Sequence, residues 1–210
     1  MNDRAAGPAP SGWGWTRERD MEIGGSLVFV RGVSAERVIE AFGMDPARAL
    51  LLPASEADEA LRYPVWDTST GTTVHPWIRV GRSAEWTFAI DPSLMAASQT
   101  QGAVRELSLG TEAAWFSWNP NISYFRYFAD GVLVTAFEPL LASDRQGSDP
   151  DRFLDQMRRA GLDPDPIPDD APVPDVLPDY RIGLLDMLTL ALGIRLPREV
   201  ALGPLLTVQR

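Results

Sequence analysis

Between Glu112 and Glu138 the chain carries three β-prone runs in succession: EAAWFSW (112–118), ISYFRYFA (122–129) and VLVTAFE (132–138). Only turns fit between them. Asn119, Pro120 and Asn121 supply the first, and Asp130 with Gly131 the second, a pair whose backbone preference suits a tight antiparallel hairpin. A three-stranded antiparallel meander is expected. Side chains alternate across a strand, so Ile122, Tyr124, Arg126 and Phe128 share one face, and Ser123, Phe125, Tyr127 and Ala129 the other. Both faces are rich in large apolar groups and both need cover. The expected class is α+β: an antiparallel sheet of about five to seven strands with roughly five helices packed on it.

The remaining segments supply that cover. Leu27–Arg31 reads as a strand closed by Gly32, followed by a helix capped by Ser34, with Val38, Ile39, Ala41 and Phe42 along one side and Gly43 and Pro46 as its stop. Ser55 is placed to cap a second helix through Arg62, with Asp58 completing a capping box and Pro64 barring continuation. After a polar loop over 67–76, Trp77–Arg82 and Glu85–Asp91 form a hairpin about Ser83 and Ala84. Ser93–Leu107 is expected to be helical, as is a stretch capped by Asp149, with Pro150 first and Phe153, Leu154 and Met157 inward, ending at Gly161. Residues 161–180 hold six Pro and six Asp, a solvated connector. Arg181–Ile194 is apolar nearly all round except Asp186, so this helix must bury itself in the body or in another copy, which leaves a homodimer open. In all, 210 residues predict a loose tail over 1–12 and one domain over 13–210.

Composition closes many mechanisms. All 19 cations are Arg, so no lysine can form a Schiff base or serve a Walker-type phosphate loop. With no Cys and one His, thiolate chemistry, iron–sulfur clusters and multi-His metal sites are closed, and no cofactor is expected. Asp163, Asp165, Asp169 and Asp170 lack the turn glycine and closing glutamate of a calcium loop. A net charge of −10 argues against nucleic acid and anionic membranes as partners. No window reaches the roughly 20 apolar residues of a membrane span, and the N-terminal segment lacks a signal-like apolar stretch, so a cytoplasmic location is expected.

Few residues remain as site candidates. His75, at the end of a polar loop, is the one imidazole available as a general base, but no nucleophile stands beside it in sequence and no G-x-S-x-G elbow exists. It reads better as a loop histidine. Arg126, set among rings, could hold a carboxylate or phosphate bidentately, or stack on Tyr124 and pair internally with Glu112, Glu138 or an Asp. Trp118, Tyr124 or Trp77 could line an aromatic pocket, with Arg79 as a second cation pointing into it.

The phrases LVFVRGVSAERVIEAFGMDP (27–46), WIRVGRSAEWTFAID (77–91), the stretch 109–165 and LGIRLPREVALGPLL (192–206) resemble an actinobacterial group catalogued as domain of unknown function 6461. The most specific phrase is the meander with its exit, where Asp130, Gly131, Phe137, Glu138 and Pro139 match the family's DG turn and FEP close. The resemblance implies an actinobacterial origin and carries over no catalytic residues. Two functions stay open: a non-catalytic binding, accessory or immunity-like regulatory module meeting a basic protein partner, and a cofactor-independent enzyme of cyclase or isomerase type whose aromatic pocket orders a small apolar carboxylate. An enclosed cavity of several hundred Å³ favours the enzyme, and a filled core with an exposed apolar patch favours the module.

Overall fold

The computed structural model describes residues 12–18, 21, 24–60, 65–67, 72–74, 77–92, 97–165 and 179–209. His75, most of the expected tail and 166–178 of the connector lie outside them. The meander forms where its turns place it, as β7 (Glu112–Trp118), β8 (Ser123–Ala129) and β9 (Val132–Glu138), flanked by β1 (Gly25–Arg31) and by the hairpin of β5 (Trp77–Ser83) and β6 (Trp86–Asp91). Three further strands extend this sheet: β2 (Leu50–Leu52), β10 (Leu141–Gln146) and β11 (Leu205–Gln209). The order is β10-β9-β8-β7-β1-β6-β5-β11-β2, antiparallel throughout, while β3 (Val65–Asp67) and β4 (Thr72–Val74) pair separately. Nine strands thus replace the expected five to seven. The undercount has a physical source: β2 has three residues, β10 is largely polar, and β11 follows a Gly-Pro pair, so none shows a sustained period of two.

The sheet is covered on both broad sides. One side packs Val28, Val30, Ile78, Val80, Trp115 and Phe128 under helices α1 (Ala35–Ala41) and α3 (Ala97–Leu107), which contribute Val38, Ile39, Val104 and Leu107. The other packs Phe29, Phe88, Phe116, Trp118, Phe125 and Phe137 against α5 (Tyr180–Leu192), the N-terminal turn bearing Trp13 and Trp15, and residues 194–201. Every residue of β1 but Arg31 is buried, because it runs under both layers. Leu184, Leu185, Met187 and Leu188 of α5 are buried within the chain's own core, so the argument for a second copy as its cover falls away. Gly193, at φ +68°, ends that helix at Leu192, two residues earlier than the apolar run suggests. None of the described helices is long and apolar enough to cross a membrane.

Two helix starts differ from expectation. Ser34 caps α1 as expected, accepting from Arg37 N at 3.2 Å. Ser55, however, lies inside α2 (Ala54–Ala60), whose first carbonyl acceptor is Pro53, so the capping box does not form. Asp149 does not cap the next helix either: α4 (Leu154–Arg159) starts four residues later. Ser148 N and Asp149 N donate instead to Leu133 O and Val134 O, and Thr135 Oγ1 donates to Pro150 O, which fastens this stretch to β9. A short helix α6 (Arg198–Ala201) leads into β11.

Gly147 makes that fastening geometrically possible. Its φ is +130°, and a Cβ there would fall inside the shell of the Val134 carbonyl. Gly147→Ala is expected to cost about 2–4 kcal/mol, read as a lower midpoint in urea unfolding. Asp186 is the one charged group in the body of apolar α5, and burial raises its carboxyl pKa. A raised folded value means the native state holds the proton more tightly, so this group's contribution is fully present below the ordinary Asp pKa and is lost as pH rises through the folded one. Asp186→Asn should therefore raise the melting temperature by about 1–3 °C at pH 7 and leave it unchanged near pH 3, by calorimetry at both values.

Candidate functional site

The expected site residues separate into three places. Trp118 and Tyr124 cannot line one pocket, because β7–β8 pairing sets Trp118 opposite Ser123 and Ser117 opposite Tyr124, on different broad sides. Trp118 is core: 1% exposed, stacked on Phe116 at 5.0 Å between centroids, its Nε1 donating to Met21 O at 3.0 Å, with the Arg181 guanidinium 4.9 Å over its ring. Nothing in that setting is open to a ligand.

Trp77 and Arg79 share the α5 side of β5. Arg79 is 3% exposed and is held by backbone oxygens: Nη1 donates to Ala201 O at 2.8 Å, and Nη2 to Gly203 O at 2.6 Å and Leu52 O at 3.2 Å. It joins β2, the end of α6 and the turn into β11. The cavity beside it, lined by Trp15, Met21, Trp77, Arg79 and Ile90 among others, measures about 30 Å³, room for water and far below a small-molecule site. Arg79 is thus a structural clamp, not a pocket cation.

Arg126 and Tyr124 do come together. Antiparallel register places Arg126 directly opposite Trp115, and its guanidinium carbon lies 5.0 Å from the Trp115 ring centroid and 5.3 Å from that of Tyr124. Trp115 is fixed by its own bond, Nε1 to Ser26 Oγ at 2.8 Å. Among the described residues the internal ion pairs considered from sequence do not form. Glu112 lies on the opposite side of the sheet, bound to Arg31 Nε at 2.6 Å and accepting from the Tyr127 hydroxyl. Burial, and then the bond to Glu112, push the Tyr127 phenol above its usual pKa. Glu138 shares the Arg126 side but is not paired with it. Cover over this end of the meander is partial: Tyr124 is 40% exposed and Arg126 half-buried, so the two-sided shielding expected for the ribbon is complete only on the α5 side. Burial lowers the Arg126 pKa, an effect partly offset by Tyr124, and the group remains a cation.

A fourth feature was not legible as a site. β2 is the edge strand, its LLL sequence carries no charge, and Leu50 and Leu51 are 61% and 66% exposed. Beside it runs an open groove of about 410 Å³ lined by Leu51, Val200, Pro204, Leu205 and Leu206, with the charged Arg82 and Glu199 also on its walls. The following helix α2 carries Glu56, Asp58 and Glu59 and no base. Among the described residues no group of three acidic, imidazole or thiol side chains converges as a metal site.

The clamp role of Arg79 is open to direct test. Arg79→Met keeps the side-chain length and strands three buried carbonyls, so it should lower stability by about 3 kcal/mol in urea unfolding and loosen β2, seen as faster amide exchange at Leu50–Leu52.

No curated protein and no solved structure matches this chain. A family model covers residues 8–196, which include the sheet from β1 to β10, the Arg126 stack and the β2 edge, and the chain therefore belongs to DUF6461, a family of unknown function.

Proposed function

We propose that the protein is a non-catalytic binding module, working in the cytoplasm, whose acidic surface meets a basic protein partner along the β2 edge. The observation that carries this reading is the uncharged leucine edge. Natural edge strands are blunted by shortness, charge, proline or a covering element; β2 is short but uncharged, and Leu50 and Leu51 stand out to water beside a mostly apolar groove that Arg82 and Glu199 also line. An extended segment can add to the side of β2 that no described strand pairs, by backbone hydrogen bonds, and seat alternate side chains in the groove. Three residues of pairing give little affinity alone, so charge must add to it: Glu56 and Glu59 on α2 are exposed, and the chain as a whole carries −10. The partner segment is therefore extended, apolar on one side and rich in Arg or Lys. The enzyme reading has less to support it, since Trp77 and Arg79 enclose only about 30 Å³ and Arg126 and Tyr124 sit at the surface.

The test uses two labelled peptides, one alternating Val with Arg and one alternating Val with Glu, followed by fluorescence anisotropy. The Arg peptide should bind about tenfold tighter or better, weaken as salt rises from about 50 to 500 mM, and lose binding to a Leu50→Gln/Leu51→Gln variant. Equal affinity for the two peptides, no binding of either, or undiminished binding by the variant rejects the proposal.

A further inference from the structure

The structure assigns a second, independent site: Arg126, backed by Trp115 and Tyr124, is a receptor for the carboxylate of an aromatic or apolar monocarboxylic acid. The other described arginines shielded from water all have polar partners. Arg31 pairs with Glu112 and Glu85, Arg79 with three carbonyls, Arg145 with Asp151 and the carbonyl of Pro164, and Arg181 donates to Thr16 O and Met21 O. Arg126 is half-buried, as Arg31, Arg145 and Arg181 are, yet among the described residues its partners are two rings. Rings attract a guanidinium through its faces and leave its in-plane N–H donors unused. A partly desolvated cation with a vacant donor edge is a poor structural element and a good receptor.

Geometry and charge narrow the ligand. The planar fork matches the two oxygens of a carboxylate. Arg126 is the one cation that β8 brings to this side of the sheet, and the −10 field around it opposes a dianion more than a monoanion, which favours a carboxylate over a phosphate. The exposed ring of Tyr124 offers the ligand's aromatic or apolar body a surface to lie on, while Trp115, held by Ser26, keeps the guanidinium oriented without the ligand. The carboxylate can belong to a free small acid or to the C-terminus of a peptide ending in Phe, and the experiment separates these.

Titration calorimetry and the Arg126 Nε–Hε NMR signal are read against 3-phenylpropionate, its amide, phenyl phosphate, and an acetylated peptide ending in Phe with a free or amidated C-terminus. 3-Phenylpropionate should bind about tenfold tighter or better than its amide, shift the Arg126 signal, and weaken about tenfold in Arg126→Met and a few-fold in Tyr124→Ala. Arg126→Met should melt at or only slightly below wild type, because it removes no polar partner and loses only the ring attraction. If only the free-C-terminus peptide binds, the carboxylate receptor stands and its source is a chain end. The inference is overturned if amide and carboxylate bind alike, if phenyl phosphate binds tighter, if Arg126→Met binds unchanged, or if that variant melts far lower while wild type binds none of the probes. The Leu50→Gln/Leu51→Gln variant should bind 3-phenylpropionate normally, so failure at the β2 edge and failure here are told apart.

Discussion

A sheet that is apolar on both broad sides exists only between two covering layers, and here that constraint governs where everything else can go. β1 shows it most plainly, with Phe29 under the α5 layer and Val28 and Val30 under α1 and α3. Burial of such side chains contributes about 1.5–3 kcal/mol each, so exposing either side would remove more than the fold's marginal net stability. Charged groups are consequently driven to strand ends and edges. Arg31 illustrates the usual solution, standing at the end of β1 over Trp86 with Glu112 and Glu85 as counter-charges.

Arg79 and Arg126 stand near the middle of inner strands, and they are accommodated in opposite ways. Arg79 is driven deep and is held by the carbonyls of Leu52, Ala201 and Gly203. Those bonds bring together a strand, a helix end and a turn that share no regular ladder at that point, and so they also set where the leucine edge lies. Among the described residues Arg126 meets no carbonyl. It is flanked by Trp115 and Tyr124, an attraction of roughly 0.5–2 kcal/mol that orients the cation without consuming its hydrogen-bonding capacity. Arg79 is therefore spent on the fold, and Arg126 is left over.

The difference between these residues explains what the sequence could reveal. The meander, the 77–91 hairpin and the Ser34-capped helix follow from local alternation, Gly and Asp at turns, and capping chemistry, and they form, although the hairpin turns at Ala84 and Glu85, one residue past the expected Ser83 and Ala84, and β8 starts at Ser123 and not at Ile122. The Trp115–Arg126 pairing was not accessible: a three-residue turn over Asn119–Asn121 would set Trp118 opposite Ile122 and Trp115 opposite Phe125, whereas the loop takes in Ile122 as well and shifts every pair of that hairpin by one residue. β2, β10 and β11 were not accessible, because their membership in the sheet is imposed by neighbours rather than by their own pattern. Arg79 could not be told from a pocket cation for the same reason: its acceptors come from Leu52, Ala201 and Gly203, which are remote in sequence. The caps misassigned at Ser55 and Asp149 follow a similar rule, as the backbone there bonds to Pro53 and to β9 in preference to local side chains.

The two surfaces also stand far apart. In the sheet order β8 and β2 are six strands apart, which at about 4.8 Å per step is roughly 29 Å. That exceeds the Debye length of about 8 Å at physiological ionic strength several times over, so charge brought to the β2 edge is largely screened at Arg126. Any coupling would have to travel through the sheet itself, whose intervening strands are packed on both sides and offer no second arrangement for a signal to select. The edge and the stacked guanidinium therefore act as separable contacts on one rigid plate: a partner seated on the leucines neither creates nor blocks the carboxylate receptor, and a ligand on Arg126 leaves the free donors and acceptors of β2 unaltered.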